Sequence, residues 1–213
     1  MVNFIGDGEA RKSRHIFEIV SRKRYIRLTM REIEVKMRVA DMGALEQALT
    51  ARGCVLGESM KQEDVIYGEP ENNIYEKTKL GHVAIRIRNQ DGKFELTAKK
   101  NLSGELDNIE YELEIMDRDQ MHAILVAIGW VPIVEVKKTR RKAKLGEYEV
   151  CLDEVEELGN FAELEKLTSD NADPVSIQEQ LLQEMESLGV SRSAQEIRGY
   201  DTLMYRLRHA QNN

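Results

Sequence analysis

The stretch Arg31-Glu32-Ile33-Glu34-Val35-Lys36-Met37 alternates charged and apolar side chains along a segment typical of a β-strand. Successive strand side chains point to opposite faces, so Glu32, Glu34 and Lys36 share one face and the apolar residues share the other. In a single strand this pattern has an ordinary explanation, an apolar face toward the core and a charged face toward water. A different interpretation requires that other strands repeat it.

The same alternation recurs in later segments, and the sign of the charge is uniform within each one. The sets that share a strand face are Glu32 with Glu34, Arg86 with Arg88, Glu110 with Glu112, Lys138 with Arg140, and Glu163 with Glu165. Lys99 lies on one face with Thr97, and Asp153 lies on one face with Cys151. Acidic and basic strands are therefore segregated, which an ordinary water-facing surface does not require.

Hydrophobic periodicity and turn residues predict about eight strands and a few helices. The strands are predicted at 31–40, 54–67, 82–88, 93–100, 109–116, 131–142, 148–154 and 161–167. Helices are predicted at 42–52, 117–128, from 173 onward, and 194–208. Asp41, Asp117 and Asp173 precede the first three helices as N-caps, which aspartate favours.

This element order predicts an α+β fold, a closed eight-stranded antiparallel β-barrel, because closure removes exposed strand edges. The helices carry apolar stripes that need the apolar faces of the strands. If helices pack outside the barrel, the charged strand faces must line its interior. A water-filled interior with basic and acidic walls suits an anionic ligand together with divalent cations.

Composition restricts the class of protein. Of the 213 residues, 41% are hydrophobic and 32% are charged, as in a globular protein with a substantial core. The net charge of −7 argues against general nucleic-acid binding, which requires a basic surface. Two cysteines are too few for a disulfide framework, so we expect a cytoplasmic location. No apolar run approaches the roughly 20 residues of a membrane span, and we expect no membrane partner.

Residues 1–29 differ in composition from the acidic remainder, since they contain the basic runs Arg11-Lys12-Ser13-Arg14 and Arg22-Lys23-Arg24. We expect a basic N-terminal arm at 1–29 followed by one domain at 30–209. The arm has three explanations: a targeting peptide, a disordered or weakly helical segment, or an extension upstream of a natural start at Met30.

Six segments, in order and spacing, resemble the CYTH, or triphosphate tunnel metalloenzyme, superfamily. They are Glu32-Ile33-Glu34-Val35-Lys36, Ala84-Ile85-Arg86-Ile87-Arg88, Leu96-Thr97-Ala98-Lys99, Lys138-Thr139-Arg140, Leu152-Asp153-Glu154-Val155, and Leu158-Gly159-Asn160-Phe161-Ala162-Glu163-Leu164-Glu165. The resemblance covers about 31–207. The segments after Lys138 and the ending Gly199-Tyr200-Asp201-Thr202-Leu203 look most like the class IV adenylyl cyclase branch.

The resemblance implies a site inside the barrel that binds a triphosphate and Mg²⁺ or Mn²⁺. The implied substrate-binding residues are Lys36, Arg86, Arg88, Lys99, Lys138 and Arg140, among which Lys36, Lys138 and Arg140 are the implied catalytic residues. The implied metal ligands are Glu32, Glu34, Glu112, Asp153, Glu163 and Glu165. Glu110 and Glu112 correspond less closely to the family pattern, and an alternative role for both is to orient the basic residues.

Two reactions use the same grip on the triphosphate. The cyclase converts ATP to cyclic AMP and pyrophosphate, and a triphosphatase hydrolyses thiamine triphosphate, inorganic triphosphate or a nucleoside triphosphate. A non-catalytic nucleotide- or polyphosphate-binding module is a further alternative, disfavoured by the complete acidic set. By analogy with class IV cyclases we expect a homodimer.

Overall fold

The computed structural model describes residues 30–69, 80–169 and 171–210, excluding the side chain of Met30. Within these residues the chain forms nine strands and four α-helices. The strands are β1 Met30–Arg38, β2 Met60–Gly68, β3 Val83–Gln90, β4 Lys93–Gly104, β5 Asp107–Ile115, β6 Val131–Leu145, β7 Tyr148–Val155, β8 Gly159–Thr168 and the short β9 Gln195–Glu196. The helices are α1 Met42–Ala51, α2 Arg118–Ala127, α3 Pro174–Ser187 and α4 Tyr200–Ala210.

The sheet closes on itself. Its strands follow the order β5-β4-β3-β2-β6-β7-β8-β1, and the pairing of β1 with β5 completes the ring. All of these pairings are antiparallel. The α+β class and the closed eight-stranded antiparallel barrel predicted from the sequence are therefore confirmed. Closure leaves no edge in the ring, while β9 adds to β1 at Lys36 and Met37.

The main core lies between the apolar outer face of the barrel and the helices α1 and α3. Ile33, Val35 and Met37 of β1 are each fully buried in it, together with Leu49 of α1 and Leu181 of α3. Because these residues point outward into a helix layer, the charged residues that alternate with them point into the barrel. The physical reason for the unusual charge pattern is thus the helical covering of the outer face.

The predicted N-caps begin the first three helices. The side chains of Asp41, Asp117 and Asp173 accept hydrogen bonds from backbone N–H groups of the first turn, at 2.9, 2.9 and 3.1 Å respectively. Each cap satisfies a donor that the helix itself leaves unpaired. In α3, Pro174 follows the cap at a position where its missing N–H costs nothing.

The fourth helix departs from the expectation that helices pack outside. Leu203 and Met204 of α4 pack against Ile66, Val134 and Val136. These three residues alternate with outward side chains and share the inward face with Asp64 and Lys138. Helix α4 therefore covers part of the inner surface and fills one region of the barrel.

The predicted final helix at 194–208 is wrong at its start. Glu196 pairs with Lys36 of β1, so Gln195 and Glu196 form β9, and α4 begins only at Tyr200. The predicted strand 54–67 is also too long, because β2 begins at Met60. Before it, the Gly57 N–H donates to the carbonyl of Lys142 at 2.8 Å, outside any strand ladder.

The strands predicted at 93–100 and 109–116 are too short, because β4 continues to Gly104 and β5 begins at Asp107. The N-terminal arm at 1–29 lies outside the described residues, so its predicted alternatives stay predictions. None of the helices in the described segments has both the length and the apolar character needed to cross a membrane.

Candidate active site

The barrel encloses a cavity of about 510 Å³ lined by charged side chains of the inner face. All six predicted substrate-binding residues line it, namely Lys36, Arg86, Arg88, Lys99, Lys138 and Arg140. Five of the six predicted metal ligands also line it, namely Glu32, Glu34, Glu112, Glu163 and Glu165. Asp153 is fully buried behind Lys138 and Arg140 and contacts both.

Strand register explains why residues distant in sequence meet here. In the pairing of β1 with β8, Glu34 lies opposite Glu165 and Lys36 lies opposite Glu163. In the pairing of β6 with β7, Arg140 lies opposite Asp153. Side chains on directly opposed residues are within contact distance on the same face. The register therefore places carboxylates beside each other on one wall and beside cations on the next.

Three carboxylates form a group that could hold a metal ion. Glu32, Glu34 and Glu165 each offer an oxygen, and within the described part of the chain these atoms lie within 4.8 Å of one another. Burial and the neighbouring Glu163 raise the pKa of Glu34 to about 7. Burial and Glu165 raise the pKa of Glu32 well above its usual value.

The raised pKa values mean that ionising these adjacent carboxyl groups costs free energy, which the protein's own cations do not offset. A divalent cation would neutralise that charge, and a set of oxygen ligands suits hard cations such as Mg²⁺ and Mn²⁺. The donor set of Glu32, Glu34 and Glu165 therefore fits the predicted metal. This agreement depends on the chemistry of the three carboxylate donors.

The structure does not bring Asp153 or Glu163 into this three-carboxylate group. Both oxygens of Asp153 accept hydrogen bonds, from Nε of Arg140 at 2.6 Å and from Nζ of Lys138 at 3.2 Å. Glu163 pairs with Lys36 at 3.2 Å and with Arg140. Although burial opposes ionisation, these cations lower the pKa of Glu163 well below its usual value and also lower that of Asp153. The two carboxylates are thus compensated by neighbouring cations.

Glu112 of β5 also lines the cavity. Among the described residues, two groups of side chains are close enough together to bind one metal ion, and Glu112 belongs to neither. Its neighbour Glu110, two residues earlier on the same face, pairs with Lys99. Burial works against both charges, yet this pair raises the pKa of Lys99 and lowers that of Glu110. Glu110 thus orients a basic residue, as the sequence suggested.

A second group with ligand spacing consists of Glu149, Cys151 and Glu165. The Sγ of Cys151 donates to Glu165 at 3.4 Å, and burial raises the pKa of this thiol well above its usual value. A thiol is a metal ligand only as the thiolate. Glu149 is also paired with Lys142. The group with three carboxylates is therefore the better candidate metal site.

Asp64 is a site residue that the sequence reasoning missed. Both of its oxygens accept hydrogen bonds from Arg88, each at 2.7 Å, and Asp64 is 5% exposed. Burial disfavours its charge, but Arg88 outweighs this and holds the pKa of Asp64 far below its usual value. The available signal was its position: Asp64 lies two residues after Gln62 in a mostly polar strand, so both side chains point to the same, inward face. Arg86 is fixed separately by a 2.9 Å hydrogen bond to Thr97.

Tyr200 at the start of α4 is a second missed residue. Its hydroxyl donates to Asp153 at 2.8 Å, and its ring lies 4.1 Å from Nζ of Lys36 and 4.7 Å from Nζ of Lys138. Cations over an aromatic face are stabilised by the ring's quadrupole. Tyr200 thus contacts both predicted catalytic lysines. Its position in the terminal Gly199-Tyr200-Asp201-Thr202-Leu203 segment was the available signal.

The arrangement places the six predicted substrate-binding cations around one cavity and holds most of them with buried carboxylates. Burial and the adjacent Arg140 lower the pKa of Lys138 to about 8. By contrast, Glu163 and Glu34 raise the pKa of Lys36 even though burial opposes its charge. Fixed cations of this kind bind a chain of phosphate groups, and a lysine with a lowered pKa exchanges a proton near neutral pH.

Comparison with known proteins agrees with this geometry. A model of the CYTH domain matches residues 30–200. Adenylate cyclase CyaB of Aeromonas hydrophila is 30% identical over 173 residues, 81% of this chain and 87% of the relative. A provisionally named adenylate cyclase of Methanocaldococcus jannaschii is 29% identical over 168 residues, 76% of this chain and 92% of the relative.

Among solved structures, the PH1819 protein of Pyrococcus horikoshii OT3 superposes with a TM-score of 0.68 at 27% identity, covering 84% of this chain and 99% of that one. The family match extends over well more than half of the chain. The match begins with β1 and ends at the start of α4, so it includes all the lysine and arginine residues that line the cavity. The chain belongs to the CYTH family.

Proposed function

We propose that this protein is a divalent-metal-dependent enzyme that acts on a triphosphate, and specifically an adenylyl cyclase that converts ATP to cyclic AMP and pyrophosphate. The observation that carries the proposal is the convergence of six cationic side chains on a cavity that also contains the group Glu32, Glu34 and Glu165. The names of the two curated relatives support the choice of cyclase over other triphosphate chemistry.

In this proposal the cations hold the triphosphate by charge-assisted hydrogen bonds. Arg88 and Arg140 are fixed by Asp64 and by Asp153 respectively, so their guanidinium groups are in place before the substrate enters. Preorganised charges stabilise the developing negative charge of the transition state without reorganising during the reaction. Binding and catalysis would therefore use the same side chains, as is usual for phosphoryl transfer.

The cyclase reaction forms a bond between the ribose 3′-oxygen and the α-phosphorus and breaks the bond to pyrophosphate. The hydroxyl proton must leave as the new bond forms. Lys138 has a pKa lowered to about 8, so part of the population has a neutral amine able to accept that proton. A cation held by Glu32, Glu34 and Glu165 would neutralise phosphate charge in this region.

Triphosphatase activity is the second candidate, because the same six side chains would hold a triphosphate for attack by water at the γ-phosphorus. In this candidate the cation set, which lines the cavity, would hold the phosphate groups in the same way as in the cyclase. Thiamine triphosphate, inorganic triphosphate and nucleoside triphosphates all present the chain of phosphates that this set would bind.

The experiment incubates the purified full-length protein with Mn²⁺ or Mg²⁺ and, separately, with ATP, inorganic triphosphate or thiamine triphosphate. Cyclic AMP and pyrophosphate formed in equal amounts from ATP support the cyclase. Orthophosphate without cyclic AMP contradicts the cyclase and supports the triphosphatase. Glu156→Gln, in an exposed turn, is the matched control for a carboxylate replacement in the cavity.

Three parts of the proposal rest on composition and analogy: location in the cytoplasm, absence of nucleic-acid and membrane partners, and a homodimer. Light scattering of the purified protein during size-exclusion chromatography tests the homodimer. A mass close to the 24.5 kDa of one chain would contradict it.

A further inference from the structure

The side chain of Asn101 is buried at the cavity and incompletely paired. It lies on β4 two residues after Lys99, so both side chains point inward, and both line the cavity. Asn101 is 7% exposed, and its Oδ1 is buried with no hydrogen-bond partner among the described residues. A buried amide oxygen without a partner is uncommon in native proteins and calls for an explanation.

Backbone pairing fixes Asn101 in this position. Its N–H donates to the carbonyl of His82 at 2.9 Å, and its carbonyl accepts from the N–H of Gly81 at 2.9 Å. On the other side it lies opposite Asn108 of β5, which in turn lies opposite Glu32 of β1. The orphaned oxygen is therefore held on a rigid wall, near one of the three clustered carboxylates.

The chemistry of the missing partner follows from the acceptor. An amide oxygen needs an O–H or N–H donor. Phosphate oxygens act as hydrogen-bond acceptors, so a chain of ionised phosphates offers no donor to this atom. Along the strand, Asn101 lies roughly 7 Å from Lys99, so it can face a part of a bound ligand beyond the phosphate group that Lys99 contacts. A donor at that position belongs to whatever the phosphates are attached to.

We propose that Asn101 is a specificity-determining residue that accepts a hydrogen bond from the organic part of the substrate, a hydroxyl or amino group of a nucleoside triphosphate or a similar ester. This inference rests on the proposed function, since it assumes that the cations bind phosphate groups. It assigns the cavity a polar subsite that favours organic triphosphates over inorganic triphosphate.

Stability separates this role from a structural one. A structural asparagine loses stability when its paired amide is removed, whereas replacing an unpaired buried amide by an apolar group of similar size is neutral or stabilising. Asn101→Leu is therefore expected to melt at the temperature of the wild type or above. Asn89→Leu is the matched control, because the oxygen of Asn89 accepts the Gly92 N–H at 3.0 Å, and its melting temperature is expected to fall.

The decisive measurement is binding by calorimetry, with Mn²⁺ present, of a non-hydrolysable ATP analogue and of inorganic triphosphate. In Asn101→Leu we expect the affinity for the analogue to fall about tenfold and the affinity for inorganic triphosphate to stay unchanged. Asn89→Leu should leave both affinities, and hence their ratio, unchanged.

Each other outcome overturns the inference. An equal loss for both ligands means that Asn101 contacts phosphate or a metal-bound water. Unchanged affinities mean that the amide holds only solvent, and a fall in melting temperature like that of Asn89→Leu means a structural role. A wild type that binds neither ligand also overturns it. A wild type that binds both and turns over none contradicts the proposed function alone, because the ratio of affinities still reports on Asn101.

Discussion

At the scale of single residues, the carboxylates of the cavity divide into two kinds. Asp64, Asp153 and Glu163 have pKa values lowered by the cations that they contact. Glu32 and Glu34 have pKa values raised by burial and by a neighbouring carboxylate, Glu165 and Glu163 respectively. The first kind stabilises the metal-free fold, whereas the second kind opposes it and is explained by a ligand.

This division predicts effects of different size on stability for two matched replacements of a carboxylate by its amide. In Glu34→Gln we expect unfolding free energy within about 0.5 kcal/mol of wild type without metal, because a poorly ionised carboxyl is lost, and no metal-dependent turnover. In Asp153→Asn we expect a loss of about 3 kcal/mol, because Arg140 and Lys138 lose their buried counter-charge. Urea unfolding of both proteins measures the difference.

Stabilisation by a bound metal ion provides a second test of the role of Glu34. Mn²⁺ should raise the melting temperature of the wild type and leave that of Glu34→Gln unchanged, since binding to the folded state alone stabilises it. Equal stabilisation of both proteins by Mn²⁺ would remove Glu34 from the ligand set.

The raised pKa of Glu34, about 7, predicts that metal binding depends on pH. Below pH 7 this carboxyl carries a proton in the metal-free protein, and Mn²⁺ must displace it. The affinity for Mn²⁺ should therefore fall by up to about tenfold per pH unit for each displaced proton as the pH drops below 7. Calorimetry in buffers of different ionisation enthalpy measures the protons released. An affinity that is constant from pH 6 to pH 8 contradicts the prediction.

The contacts of Tyr200 predict that it affects activity through Asp153 and Lys36. Tyr200→Phe keeps the ring over Lys36 and removes the hydrogen bond to Asp153, so we expect kcat/KM to fall about tenfold, the value of one hydrogen bond to a charged group. Tyr200→Leu also removes the ring and should lower kcat/KM further. Tyr205→Phe, on the same helix with its ring stacked on His209, is the control and should retain activity. Activity in Tyr200→Phe equal to the control would show that the hydroxyl has no such role.

At the scale of elements, α4 is the unusual one, because it packs against inward-facing residues of the barrel. Its first turn is anchored by Glu105, whose carboxylate accepts the Gly199 N–H at 2.7 Å and the Thr202 hydroxyl at 2.8 Å. A carboxylate at a helix N-terminus is favoured by the helix dipole. The helix thereby brings Tyr200 to Lys36 and Lys138, while Leu203 and Met204 bury the apolar part of the inner surface.

This packing predicts that Met204→Ala loses about 2–4 kcal/mol of unfolding free energy, because the side chain is 1% exposed and its removal leaves a cavity. Met116 is 94% exposed, so Met116→Ala is a chemically matched control that should change stability by less than about 0.5 kcal/mol. Denaturant unfolding monitored by circular dichroism compares the two. Similar losses in both variants would place α4 outside the cooperative core.

The same element shows what the sequence could and could not predict. Period-two alternation was enough for the barrel strands and for which face of β1 points inward, because helices require the other face. The start of α4 was not predictable, since Glu196 is drawn into a strand by pairing with Lys36 and by hydrogen bonds from Arg198. The contacts of Asp64 with Arg88 and of Tyr200 with Asp153 join residues far apart in sequence, so the sequence could mark the positions of Asp64 and Tyr200 but not identify their partners.

At the scale of the whole molecule, an excess of acidic groups extends into the cavity. The formal net charge is −7, and among the described residues ten acidic and seven basic side chains line the cavity. A substrate with several negative charges therefore enters an environment that is not net basic. The local concentration of cations attracts the phosphates, but the remaining carboxylates repel them unless their charge is compensated.

This balance predicts strong reciprocal coupling between metal and substrate. We expect ATP to bind about 100-fold more tightly with saturating Mn²⁺ than in EDTA, because the cation compensates Glu32, Glu34 and Glu165. By linkage, a non-hydrolysable ATP analogue should increase the affinity for Mn²⁺ by the same factor. Glu34→Gln should weaken this coupling, while Glu156→Gln should preserve it. Calorimetric titrations in both orders measure the two factors, and ATP binding that is equally tight in EDTA would mean that the basic wall alone holds the substrate.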